Sequence, residues 1–335
     1  MSNLVFPAGY SSALSRKDTQ KAIKLVKDTF QTALSKELNL DRVTAPLMVT
    51  KASGINDDLN GVERKVHFTM KEVEGEAEVV QSLAKWKRMA LYKYGYEVGE
   101  GIYTDMNAIR RDDECDNLHS LFVDQWDWEK VITKEDRNLD YLKDTVKKIV
   151  SALSKTNDEL KKAYPTLGCE VNEDVFFITT QELENMYPDK TPKERENIIT
   201  KEYKTVFIMQ IGDLLNSGER HDGRAPDYDD WQLNGDILVW DEVLGCALEI
   251  SSMGIRVDAD SLKSQLEKAD ATERESFEFH KNILSGKYPL TIGGGLGQSR
   301  ICMLLLQKAH IGEVQVAIWS DEMRSACKQN GIDLL

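Results

Sequence analysis

The amino-acid sequence predicts an α+β fold, a mostly antiparallel sheet flanked by helices. Short strand-like runs come in groups rather than in strict strand–helix–strand alternation, which argues against a doubly wound parallel sheet. Long apolar stripes at helical spacing separate those groups. Near the C-terminal end, Gly293-Gly294-Gly295-Leu296-Gly297-Gln298-Ser299-Arg300 joins an alternating stretch, Tyr288 to Ile292, to an apolar helix pattern, Ile301 to Leu306.

Taken in order, the first helix is expected after Asp18 as N-cap, with Ile23, Val26, Phe30, Leu34 and Leu38 at three- and four-residue steps, ending near Asn39. Leu40 to Val49 then reads as one extended apolar run, whose Pro46 suits a strand start or an edge. Strands are predicted at Val66 to Met70 and Leu121 to Trp128. A helix from about Leu139 to Tyr164 rests on Leu142, Val146, Ile149, Leu153 and Leu160. Another opens at Thr191-Pro192, where Glu194 completes a capping box. Strands follow at Val206 to Ile211, Asp236 to Trp240 and Ala247 to Ser251, then a helical pattern over Asp260 to Leu284 and a last strand at Val314 to Trp319. No internal repeat is visible.

With 335 residues, 41% of them hydrophobic, the chain buries a large core, and seven prolines without a Ser/Gly-rich stretch argue against a flexible linker. A net charge of -14 opposes nucleic acid, which proteins hold through clustered Lys and Arg. Five scattered cysteines without a C-x-x-C pair fit reduced packing thiols in a cytoplasm and offer no zinc framework. The N-terminal residues lack the pattern of a signal peptide, and no run approaches the ~20 apolar residues that cross a bilayer. No membrane partner is expected.

The glycine run permits positive φ angles and close approach of a flat or anionic ligand, with Arg300 opening the helix beside it. A tight packing turn with a solvated arginine explains the same residues, although a guanidinium fork also binds phosphate and stacks on rings. Neither G-x-G-x-x-G spacing nor a following G-K-[ST] is present, so the run is neither of the common phosphate loops. On the strand at Leu121 to Trp128, alternation places Gln125 and Asp127 on one face and Trp126 and Trp128 on the other. The polar face is either solvent-exposed or a site. Arg110 is a candidate phosphate clamp or an ordinary partner of nearby aspartates. Asp222, Asp227, Asp229, Asp230 and Asp236 crowd one segment with Arg224, which suits either a solvated acidic loop or Mg²⁺ shared with phosphates. Glu249 and Ser251 are expected on a common strand face. The five histidines show no spacing for a nucleophile and its base.

Three of these segments resemble, in order, the motifs of class II aminoacyl-tRNA synthetases: Leu38 to Val49 with Pro46, Arg110 with the acidic turn and strand to Trp128, and Gly293 to Arg300. A closer likeness, over essentially the whole chain, is to the ammonia-dependent asparagine synthetases of the A type, the aspartate–ammonia ligases. It is carried by Gln81 to Arg88, His119 to Trp128, Arg224 to Trp231, Asn234 to Trp240 and Ser251 to Asp260.

That resemblance implies one catalytic domain over residues 1–335, without an anticodon-binding or glutaminase domain. It also implies a homodimer, ATP bound with Mg²⁺, and a ligase making L-asparagine from L-aspartate and ammonia through β-aspartyl-AMP. By the same resemblance Asp57, in the loop Ser53 to Asp58, lies near the substrate amino group and the ammonia. Arg110 meets the α-phosphate and, with Gln125 and Arg300, acts in catalysis. Ser82, Lys87, Asp127, Arg224, Ser251 and Ser252 hold the amino acid; Asp229, Gly293, Gly294, Gly295 and Arg300 hold ATP; Asp236 and Glu249 hold the metal. No residue of the loop 112–118 is assigned. Glutamine-dependent enzymes of this activity carry an N-terminal catalytic cysteine, whereas Ser2 follows Met1 here, so free ammonia is the expected nitrogen donor. An aspartyl- or asparaginyl-tRNA synthetase paralogue should add an anticodon-binding domain and a basic face. A non-catalytic paralogue should lose Arg110, Asp236, Glu249 or Arg300.

Overall fold

The computed structural model describes residues 4–57 and 63–335; Met1, Ser2 and Asp58 lie outside them. Helix α1 (Arg16–Leu38) buries Val26, Phe30, Leu34 and Leu38, as the spacing predicts. Its N-cap is Ser15 rather than Asp18: the Ser15 hydroxyl accepts from the Asp18 amide and donates to the Asp18 carboxylate, so Asp18 sits one turn inside. Asn39 closes the helix in the left-handed region.

The expected extended run after it is broken in two. Strand β1 (Leu40–Arg42) joins the main sheet, whereas β2 (Met48–Thr50), beyond Pro46, pairs in a small separate sheet with β3 (His67–Thr69) and β4 (Glu76–Val79), in the order β2-β4-β3. Helix α2 (Ala84–Tyr94) follows, and its charged residues hid it from the periodicity. Strands β5 (Gly101–Ile109) and β6 (Phe122–Val131) form a long hairpin, and α3 (Leu139–Ala163) starts at an Asn138 cap. Beyond it lie β7 (Phe176–Thr179), α4 (Thr180–Met186) and α5 (Pro192–Tyr203), the last opened by the predicted Thr191–Glu194 capping box. Strands β8 (Thr205–Met209), β9 (Asp229–Asp241) and β10 (Cys246–Arg256) come next.

The helical pattern over 260–284 divides into α6 (Ala259–Lys268) and α7 (Glu278–Leu284), because the chain turns at Asp270, which has φ 51°. Strand β11 (Thr291–Gly297) runs straight into α8 (Gln298–Leu305), and α9 (Asp321–Gln329) closes the described chain. Val314 to Trp319 forms no strand. It pairs with no neighbour, and Val316 and Ile318 are exposed in the connection to α9.

The main sheet has the order β1-β5-β6-β11-β10-β9-β8-β7, antiparallel except for its two edge pairs, β1–β5 and β7–β8. One face is packed throughout by α1, α3 and α8, with Trp126, Trp128, Phe207, Ile237, Met253 and Leu296 in the core. The other face is covered only at its ends. At one end Leu83, Trp86 and Leu91 of the α2 region seal Ile102, Met106 and Ala108. At the other, Leu183 and Ile199 of α4 and α5 seal Val206, Ile208 and Leu238. The floor between them is left for polar groups, and it is made by β6, β11 and β10.

The glycine run is the middle strand of that floor, not a turn. Gly293, Gly294, Gly295 and Gly297 pair with β6 on one side, the first three with β10 on the other, and none has positive φ. Their lack of Cβ serves close approach instead. A Cβ on Gly293 would meet the Glu129 carboxylate and lie 2.7 Å from an Arg256 nitrogen. One on Gly295 would strike the Gln125 amide, and one on Gly294 would lie 2.5 Å from Met253 Cβ.

Candidate active site

Over this floor opens a cavity of about 760 Å³. Of the residues singled out in the sequence, Arg110, Gln125, Arg224, Glu249, Ser252, Gly295 and Arg300 line it. Arg110 lies just past the end of β5, its amide held by the Leu121 carbonyl at 2.9 Å, and its buried Nε has no partner. Arg300 comes from the first turn of α8 and is tethered to β10 by the Glu249 carbonyl at 3.0 Å and the Glu249 carboxylate at 3.4 Å. The helix start that carries Arg300 has no side-chain cap of its own, since the cap residue is Gly297. Asp124 of β6 supplies one, accepting from the Ser299 amide at 3.1 Å.

Strand alternation continues the floor. Gln125, Asp127 and Glu129 pair in register with Gly297, Gly295 and Gly293, and Ser252 pairs with Gly295 and Asp236, so all of these face the site side. A β-bulge between Glu249 and Ser251 changes the expected phase of β10. Ser251 then pairs with Leu296 and Ile237, both core residues, and turns toward the core with its hydroxyl unpartnered. Glu249 shares the site face with Ser252 rather than with Ser251.

Beside the cavity, on the same face of the sheet, lies an alternating network of buried charge. Lys87 of α2, 1% exposed at its side chain, pairs with Asp127, lies 3.9 Å from Glu129 and donates to the Gly294 carbonyl at 3.1 Å. Burial pulls its ammonium below the ordinary lysine range, against the charge of Asp127. Glu129 accepts from Arg256 at 2.9 Å and from the Thr291 hydroxyl at 2.7 Å. Burial would raise its pKa, but Arg256 and Lys87 hold it below the usual carboxylate range. Arg256 also pairs with Asp229, so Asp229 is drawn away from the opening and does not line the cavity. Arg224 binds Ser252 and, at 2.7 Å, Asp236. Lys87, Asp127 and Asp229 therefore sit one layer behind the groups that face the opening.

Asp236 and Glu249 also line a second, smaller cavity of about 230 Å³. Burial raises the Asp236 carboxyl to about 7; Arg224 opposes the rise and the neighbouring charge of Glu249 adds to it. Among the described residues no group of three or more His, Cys, Asp or Glu forms a metal cage. Two carboxylates that repel each other beside a polar cavity do fit Mg²⁺, which binds through one or two carboxylates and completes its shell with water and substrate phosphates.

The remaining assignments lie at the margins. Ser82 accepts from the Ala84 amide at 3.1 Å at the start of α2 and is absent from the cavity lining. Asp57 is buried behind the wall. Its loop is pinned by Asn56, which accepts from the Gln81 amide at 2.9 Å and donates to Glu78 and the Val79 carbonyl, both at 3.1 Å. Burial and the charges of Asp57 and Asp229 push the Tyr228 phenol well above its usual pKa, and Tyr228 lines the cavity. Tyr228, Asp124, Glu129 and Arg256 were not singled out from sequence. No pattern in the sequence distinguishes Glu129 and Arg256, whose strands carry other polar residues as well.

The eight-stranded sheet and its flanking helices have the fold of the class II aminoacyl-tRNA synthetases. The asparaginyl-tRNA synthetase of Pyrococcus horikoshii complexed with asparaginyl-adenylate superposes with a TM-score of 0.64 over 89% of this chain and 68% of its own, at 17% identity. A putative aspartyl-tRNA synthetase of Leishmania major gives 0.60 over 90% and 64%, at 16% identity. Within that class the sequence is more specific. The profile of the aspartate–ammonia ligase family matches residues 17–331. The aspartate–ammonia ligase of Clostridium tetani is 60% identical over 333 residues, 99% of this chain and 98% of that one, and that of Bacillus cytotoxicus is 58% identical over 325 residues, 97% and 99%. This chain belongs to the aspartate–ammonia ligase family.

Proposed function

We propose that the protein joins L-aspartate and ammonia to give L-asparagine in the cytoplasm, at the expense of ATP, through β-aspartyl-AMP. The observation that carries this reading is the convergence of Arg110, Gln125 and Arg300 on one cavity over a glycine-rich strand, in a chain of this family.

A carboxylate is inert to amines at neutral pH because oxide is a poor leaving group and the charge repels nucleophiles. Attack by the β-carboxylate of aspartate on the α-phosphorus of ATP forms one P–O bond and breaks another, and the electron pair leaves with pyrophosphate. Negative charge grows on the phosphate oxygens in between. Arg110, whose Nε is unpartnered, and Arg300, held by Glu249, are preset for that charge, and one such donor is worth about 3 kcal/mol of barrier. Mg²⁺, when bound, adds charge neutralisation on the phosphates, with Asp236 and Glu249 as its protein ligands. Gln125, Ser252 and Arg224 orient the amino acid above Gly295, while Lys87 fixes Asp127 from behind. In the second step ammonia attacks the acyl carbon and AMP leaves. Asp57 holds ammonium behind Tyr228 and takes its proton.

The chain acts as a homodimer in this reading; exposed Leu47, Met48 and Phe68 near Pro46 support an interface there. Purified protein supplied with aspartate, Mg-ATP and ammonium should release AMP and asparagine in equal amounts, and glutamine should not replace ammonium. AMP formation without asparagine, or neither product, defeats the proposal.

A further inference from the structure

Residues 4–15, ahead of α1, form neither helix nor strand, yet they are fastened at several points. Leu4, Phe6, Tyr10 and Leu14 pack against the main core, the Tyr10 hydroxyl meets both Glu313 carboxylate oxygens at 2.9 Å, and Lys308 donates to Ser12. This strap ends on Asn117. Val5 gives its amide to Asn117 Oδ1 at 2.8 Å and accepts from Asn117 Nδ2 on its carbonyl at 2.9 Å, so a side chain pairs with it as a neighbouring strand would. Nδ2 also donates to the Ala309 carbonyl at 2.7 Å, and the Asn117 carbonyl accepts from the Ile311 amide at 2.8 Å. Asn117 is 3% exposed and spends its whole carboxamide on backbone groups of two segments far from it in sequence.

What Asn117 holds is a wall of the main cavity. Asp112, Asp113, Glu114 and Asp116 of the loop 112–118 line the opening, whereas Asn117 is absent from the lining and is turned to the strap. Four carboxylates facing an anionic ligand are tolerable only at a fixed distance from it. Arg110 lies within their reach: the Asp113 amide donates to the Arg110 carbonyl at 3.2 Å, and burial raises the Asp113 carboxyl while the charge of Arg110 opposes the rise. A loop free to sag inward would occupy Arg110 with its own carboxylates. At its near end the loop is tied by Asp112 to Arg64, whose side chain is 70% exposed, and an exposed pair fixes little. The buried tie at Asn117 therefore sets where the loop sits.

We propose that Asn117 is a positioning residue for the nucleotide: clamped between the N-terminal strap and the turn at Ala309 to Ile311, it holds the acidic loop 112–118 off Arg110 and so keeps that guanidinium open to phosphate. The strap is then part of the binding apparatus although it touches no substrate. That the nucleotide is ATP on its way to adenylation rests on the ligase reading above. When the tie is cut, the apparent affinity for ATP falls by the fraction of molecules in which Arg110 stays open. The aspartate side is spared, because Gln125, Arg224 and Ser252 lie outside the loop.

The test is calorimetric binding of Mg-ATP to the full chain, to Asn117→Ala, to Val5→Pro, which removes the amide that Asn117 Oδ1 accepts, and to Val5→Ala, which keeps it. Affinity should fall about tenfold in Asn117→Ala and about threefold in Val5→Pro, hold in Val5→Ala, and fall no further when Val5→Pro is added to Asn117→Ala. Adding Asp113→Asn to Asn117→Ala should recover part of the loss, because a carboxylate that competes for Arg110 is gone; a purely structural role gives no such recovery. In turnover KM for ATP should rise by the same factors while KM for aspartate holds. Should Asn117→Ala fail to fold, as its melting temperature shows, Val5→Pro carries the test alone. Wild-type ATP affinity in Val5→Pro overturns the proposal, as does an equal rise of both KM values or the absence of any recovery with Asp113→Asn. A wild-type chain that binds Mg-ATP but makes no asparagine removes the ligase reading and leaves the strap to be judged on ATP affinity.

Discussion

One methyl group added at Gly294 and one added at Gly295 should damage different properties of the protein, although the two residues are adjacent. A Cβ at Gly294 points into the packed face, 2.5 Å from Met253 Cβ and 2.8 Å from the Ser252 carbonyl oxygen. Neither can rotate away, because both belong to the β10 strand bonded to β11. Overpacking of this kind costs about 1–3 kcal/mol, less up to ~1 kcal/mol that alanine recovers by restricting the unfolded chain. Taking the upper cost with the full offset, net destabilisation is about 2 kcal/mol. With an unfolding entropy near 2 cal/mol/K per residue over 335 residues, that lowers Tm by roughly 3 °C. A Cβ at Gly295 instead meets the free end of Gln125, its amide oxygen first and Cδ at 2.9 Å. Gln125 swings aside at little cost, so Tm should move by less than about 1 °C. Aspartate-dependent exchange of pyrophosphate into ATP should nevertheless fall about 10–100-fold with the loss of a placed polar contact. Scanning calorimetry and the exchange assay read the two effects separately. If Gly294→Ala melts like wild type and Gly295→Ala exchanges at the wild-type rate, the glycines are not there for close approach and the account of the floor is wrong.

Arg300→Ala should lower aspartate-dependent pyrophosphate exchange about 10²–10³-fold with an unchanged oligomeric state, as seen by the exchange assay and light scattering; undiminished exchange takes Arg300 out of the site. Asp57→Asn should separate the two half-reactions, keeping pyrophosphate exchange while asparagine formation collapses, and equal losses in both assays would place Asp57 in the adenylation step. Asp241, at the β9–β10 turn, has its carboxyl raised to about 6 by burial, partly offset by the amides of Leu244 and Val243. A raised acid favours the folded state when protonated, so wild-type stability drains away as pH climbs from about 4 to about 6. Asp241→Asn should be flat across that window and gain up to about 3 kcal/mol at pH 7. Denaturant melts at pH 4, 5, 6 and 7 check this, and parallel curves for the two proteins contradict it.

Elements with an uninterrupted period were legible in the sequence, and elements whose buried face is charged were not. Leu142, Val146, Ile149 and Leu153 announce α3, and all four are fully buried. Helix α2 was invisible because Lys85, Lys87 and Arg88 are buried alongside Trp86 and Leu91, so its inner face looks like a surface. Gly293 to Gly297 reads as a turn for a related reason. Glycine has no side chain with which to show a two-residue alternation, and only the flanking strands reveal that it is spaced for contact. Arg110, Gln125 and Arg300, which line the cavity, stand out in the sequence because their chemistry is unusual for their surroundings. The displacement of Ser251 could not, since a bulge is a property of pairing between β9 and β10 rather than of either strand alone.

The buried charges on the site face of the floor explain why the floor must be glycine. Lys87, Asp127, Glu129, Arg256 and Asp229 lie within 5% of full burial at their side chains and alternate in sign from α2 across β6 and β10 to β9. Taking such ions out of water costs several kcal/mol apiece, and a well-packed apolar layer of the same volume would often be as stable or more so. The arrangement is therefore poorly explained as a device for stability. It does hold Asp127 and Arg224 in place, which in the proposed reaction spares the groups lining the cavity from reorganising as charge moves from aspartate to phosphate. The network closes only if Glu129 and Arg256 meet across β11, and any side chain at position 293 would occupy the space in which they do. Glycine at 293 and 295 lets the buried charges and the cavity-lining Gln125 lie side by side on the same face of β11 at contact distance.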